Sequence, residues 1–126
     1  MKRSWFGFFL LILLLMLALL STQAMVRIHR EQALTLEEAG KFALSGNWHQ
    51  TALLTAQVRL DWDKWQLLRA ALADHNPIEE IEAGFQVLEV YGRKRDALAF
   101  AALCQDLSRQ LEAMGDAHAL QLQNLL

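Results

Sequence analysis

Proline occurs once in the 126 residues, as Pro77, and cysteine once, as Cys104. A lone cysteine cannot pair within the chain, which excludes a disulfide framework and any paired-cysteine metal motif. Val, Ile and Thr are sparse and never alternate with polar residues, so no strand is expected. There is no glycine-rich phosphate loop, no His-Glu-x-x-His and no serine or cysteine beside a histidine in a nucleophile motif, so nothing commits the chain to a chemistry. An excess of positive charge is missing too. Lys2 and Arg3 precede all fourteen acids, and the chain after residue 26 has ten basic residues, a formal net of −4. Such a surface does not neutralise a phosphate backbone, and nucleic acid is not an expected partner.

What the chain has instead is a long apolar start. From Trp5 to Val26 no residue is charged. As a helix these 22 residues rise about 33 Å, close to the hydrocarbon thickness of a bilayer. Lys2 and Arg3 flank the run on one side and Arg27, His29 and Arg30 on the other, while Trp5, Phe6, Phe8 and Phe9 suit the headgroup level. Residues 1–26 are therefore expected to be a membrane anchor, with residues 5–26 in contact with lipid. A cleavable signal peptide is the alternative, with Thr22-Gln23-Ala24 as its cleavage site. In either case the N-terminal positive flank places the soluble domain outside the cytoplasm.

Residues 27–126 suffice for one domain with a core of its own. Abundant Ala, Leu, Gln, Glu and Arg predict an all-α fold, a transmembrane helix followed by a small antiparallel bundle of three to four helices. The first bundle helix is expected to open at a Thr35 to Glu38 capping box and end at Ser45-Gly46. The second starts at Asn47 and carries Leu54, Val58, Trp62, Trp65, Leu68 and Leu72 on one stripe to about Ala73. Asn76 caps the third, with Pro77 at its first position, Ile78, Ile81, Phe85 and Leu88 on its apolar face, and Gly92 as its C-terminal cap. The fourth opens at Asp96 and presents Phe100, Leu103, Leu107, Leu111 and Met114. Cys104 falls on that face as a small core residue. Gly46-Asn47-Trp48 and Gly92-Arg93-Lys94 both lie between helices, but their flanks do not match and the domain is too short for three repeats.

Three groups of residues are candidates for function. Trp48, Trp62 and Trp65 could form a contact surface or the wall of a pocket, although Trp62 and Trp65 also fit the stripe that helix two must bury. His75, Glu79 and Glu82 are the most suggestive polar set for a divalent metal, but Glu79 is already accounted for as a capping partner and acids in a first turn favour the helix dipole. No metal and no cofactor is expected from them. Arg93-Lys94-Arg95 could meet anionic lipid, or simply be a solvated turn at a helix C-terminus.

With the N-terminal anchor, Trp62 and Trp65, the stretch from His75 to Glu82 and the ending Leu122 to Leu126, the chain resembles a family of short bacterial membrane-anchored helical proteins defined only as a domain of unknown function. Where that family has an acidic residue and then Ile-Asp after the histidine, this chain has Asn76, Pro77, Ile78 and Glu79. The resemblance implies a helical ectodomain and supplies no activity. The expected function is a membrane-anchored interaction or scaffold module for a protein partner, not an enzyme. The alternative is a small-ligand-binding or sensory ectodomain with a pocket near the tryptophans.

Overall fold

The computed structural model describes residues 2–65 and 75–125, apart from the side chains of Thr22, His75, Asn76 and residues 118–125. The described residues are helical throughout except at the turns. They form α1 (Lys2–Leu44), α2 (Trp48–Lys64), α3 (His75–Lys94) and α4 (Ala97–Leu125).

Helix α1 runs 43 residues without a break. The expected capping box does not form, because Thr35 lies inside the helix and its hydroxyl donates to the Glu31 carbonyl one turn back, at 2.9 Å. No turn separates the apolar run from the bundle. Every large apolar side chain from Trp5 to Leu20 is exposed on the chain itself. Burial begins at Met25 and continues through His29, Gln32, Ala33, Leu36, Ala39 and Ala43, at steps that keep one helical face turned inward.

That face packs on α4. Gly40 meets Ala101 and Cys104, Glu37 accepts a hydrogen bond from Ser108 at 3.1 Å, and Gly115 meets Val26 and His29. Positions that ascend on α1 meet positions that descend on α4. Small residues at the contact let the two backbones come close, and a Cβ at Gly84 of α3 would likewise collide with Leu107 of α4. The core joins Leu36, Val58, Trp62, Ile81, Phe85, Leu88, Phe100, Leu107 and Leu111 from all four helices.

Two turns share one geometry. At the end of α1, Asn47 N–H donates to the Phe42 carbonyl and Gly46 N–H to Ala43, with Gly46 at φ +81°. At the end of α3, Asp96 N–H donates to Tyr91 and Arg95 N–H to Gly92, with Arg95 at φ +55°. Both are Schellman caps, each followed at once by an N-cap, Asn47 for Gln50 N–H and Asp96 for Ala99 N–H. The cap of α3 is therefore Arg95 and not Gly92, which stays inside the last turn against the Phe100 ring. Two other boundaries move. Helix α2 ends at Lys64, short of Ala73, and α3 begins at His75, two residues before Pro77. Leu68, Leu72 and Asp74 lie outside the described residues.

Candidate functional site: the groove between α2 and α3

Helix α2 rests on α1 and helix α3 on α4, so α2 and α3 stand side by side with little direct contact. Between them runs a groove of about 670 Å³. One wall is small, because Thr51, Ala52, Thr55 and Ala56 of α2 repeat at a spacing of four and leave the helix backbone approachable. Thr51 and Thr55 turn their hydroxyls back to carbonyls of Asn47 and Thr51, at 2.8 and 2.7 Å, which satisfies both hydroxyls within the helix. The opposite wall is Phe85, Leu88 and Glu89 of α3.

Aromatic residues stand at both ends. Trp48 stands edge-on to Phe100, with ring centroids 5.8 Å apart and planes at 83°. At the other end Trp62 backs Phe85 at 5.8 Å, and the Arg59 guanidinium covers the outer face of that ring at 5.4 Å.

Arg59, Arg93 and Arg95 line the groove against a single acid, Glu89. Arg59 pairs loosely with Asp63 at 3.7 Å. Among the described residues Arg93 and Arg95 are in no salt bridge. A domain whose net charge is negative has thus gathered positive charge along this groove.

The three tryptophans expected to act together have three different surroundings. Trp48 is half-buried in the groove, Trp62 is fully covered in the core, and Trp65 borders a separate cavity. Fourteen residues separate Trp48 from Trp62, about 21 Å along the helix, so they share no pocket. Of the polar set, Glu79 is exposed and Glu82 half-buried on α3, while the His75 side chain lies outside the described residues. Among the described residues no group of three His, Cys, Asp or Glu could hold a metal. Cys104 is buried against Gly40, and burial pushes its thiol up to about 12.

The second cavity, about 230 Å³, lies between Ile28, Gln32 and Thr35 of α1 and Gln57, Asp61 and Trp65 at α2. Gln32 is 3% exposed, and among the described residues neither atom of its amide has a hydrogen-bonding partner.

Sequence reasoning passed over Arg59, Gln32 and the small wall of α2. Two signals were available: the repeat Thr51-Ala52, Thr55-Ala56, and an arginine before Asp96 in the place that Gly46 fills before Asn47. No family model, curated protein or solved structure matches the chain.

Proposed function

We propose that the protein is a single-pass, membrane-anchored helical interaction module. Residues 5–26 hold it in a bilayer, and an antiparallel bundle outside the cytoplasm offers the α2/α3 groove to a protein partner. One observation carries this reading. Helix α1 is continuous, exposed and apolar through Leu20, and then inward-facing from Met25 to Ala43. The same rod that fits a bilayer is the central helix of the bundle, which fixes the height of the groove above the lipid. The reading assigns no catalytic chemistry, and it agrees with the resemblance to membrane-anchored helical proteins.

Affinity capture of the full-length protein from detergent-solubilised membranes tests it. A partner should be recovered reproducibly and lost on Trp48→Ala, with the bait in the membrane fraction. A bait in the aqueous fraction, or captured with no partner, contradicts it.

Gln32 favours a second reading, a sensory module that takes a small polar molecule in the α1/α2 cavity, because a buried amide without partners costs about 1 to 3 kcal/mol. Under that reading Gln32→Leu stabilises the free protein and abolishes any thermal shift produced by a screen of small polar compounds. A screen in which nothing shifts the wild type removes it.

A further inference from the structure

Resting on the interaction-module reading, we infer that the groove takes an acidic amphipathic helix from a partner protein. Shape comes first. The lined stretch of α2, from Trp48 to Arg59, rises about 17 Å, the length of three helical turns. Its small wall admits a helix backbone, and Trp48, Ala52, Thr55 and Ala56 offer apolar surface above the buried floor of Phe85, Leu88 and Phe100 to residues spaced three and four apart. Charge then selects the sequence. Arg59, Arg93 and Arg95 edge the apolar floor, so acids flanking the partner's apolar stripe meet guanidinium groups and bases are repelled.

Arg95 adds an independent argument. Its backbone is left-handed, a conformation that costs a side chain and that glycine adopts freely. The matching turn uses Gly46. Arg95 thus puts a charge at the rim of the groove in a backbone conformation that glycine adopts at lower cost.

Position separates a protein from a lipid headgroup. Arg93 and Arg95 are at the turn into α4, which lies beside the C-terminal end of α1 because Gly40 meets Ala101 and Cys104. Leu44 is eighteen residues beyond Val26, about 27 Å along the helix. The arginines therefore stand well away from the apolar run, and surface attraction to lipid fades within about 10 Å.

The test uses full-length protein in lipid nanodiscs. The probes are two synthetic helical peptides of about 14 residues with Leu on one face, one with Glu and one with Lys along the flanks, and vesicles of phosphatidylglycerol. The Glu peptide should bind at least tenfold more tightly than its Lys twin, more weakly as salt rises, and Arg93→Glu with Arg95→Glu should reverse the order. Ala56→Trp, at an exposed position, should block both peptides while circular dichroism and melting stay those of the wild type. Arg95→Gly should raise the melting temperature yet weaken the Glu peptide roughly threefold, a loss of the size expected for one rim charge. Equal binding of the twins, or binding of neither, overturns the proposal. So does vesicle binding that is lost with the two arginines, which would make the ligand a lipid, or two copies per disc that Ala56→Trp separates, which would make it a second chain. Repeating the peptide titration in detergent separates this proposal from the anchor, since loss of membrane association leaves groove binding intact.

Discussion

Gly40 of α1 lies directly against Cys104 and Ala101 of α4: a Cβ placed there would be 3.3 Å from the Cys104 Cβ and 3.4 Å from the Ala101 Cα. The neighbours at this contact are backbone and short side chains, so they cannot swing aside. Gly40→Leu should therefore push α1 off α4 and cost about 2 to 3 kcal/mol. Gly7, on the same helix, has nothing within 4 Å, and Gly7→Leu should leave bundle stability within about 0.5 kcal/mol. Urea unfolding of the two variants in one detergent checks the contrast.

The paired Schellman turns predict opposite signs for opposite exchanges. Arg95→Gly relieves a left-handed side chain and should stabilise by about 1 kcal/mol, whereas Gly46→Ala imposes one and should destabilise by about as much. Thermal melts of both variants decide it, and equal signs would mean that the turns are not equivalent.

Trp62 and Trp48 should separate cleanly. Trp62 is 0% exposed and packs on Phe85, so Trp62→Ala should cost about 3 to 5 kcal/mol. Trp48 is half-buried at the mouth of the groove, and its loss should cost under about 2 kcal/mol while removing partner binding. Denaturation midpoints alongside capture yields measure both.

Burial lifts the Cys104 thiol from 9.0 to about 12. Between those values the unfolded chain has released the proton while the folded chain retains it. The contribution to stability is thus complete below about pH 9 and is lost as pH rises toward 12. Wild-type protein should lose more stability than Cys104→Ala between about pH 8 and 10.5, read from urea midpoints. Parallel losses would place the thiol in water.

Much of the fold was legible because its signals are large. The stripes of α3 and α4, from Ile81 through Leu88 and from Phe100 through Met114, are bulky residues at helical spacing, and they are the core. The second half of α1 was not legible as part of one helix. Its inward face, Met25 and Leu36 apart, is His29, Gln32, Ala33, Ala39, Gly40 and Ala43, small or polar residues whose burial comes from close approach to α4 and not from their own hydrophobicity. A Thr three residues before a Glu carries the signature of a helix start, but here neighbouring turns on both sides already satisfy the backbone. The groove was hidden for a related reason. Trp48 is visible in any sequence, but a cleft is made by what is absent, here bulk at Thr51, Ala52, Thr55 and Ala56. In the sequence Arg95 belongs to a basic run, and only the backbone reveals that it occupies a position suited to glycine.

The most direct test compares Leu13 and Leu34, two side chains on one helix that the chain itself leaves almost equally open, at 48% and 53%. Leu13→Cys and Leu34→Cys are made singly, with buried Cys104 as an inert background, and membranes opened on both faces are treated with a water-soluble maleimide. If α1 stands with its first half in lipid, Leu34→Cys is labelled promptly and Leu13→Cys only after the bilayer is dissolved in denaturing detergent. Labelling of both at similar rates in intact membranes would contradict the anchor on which the account rests.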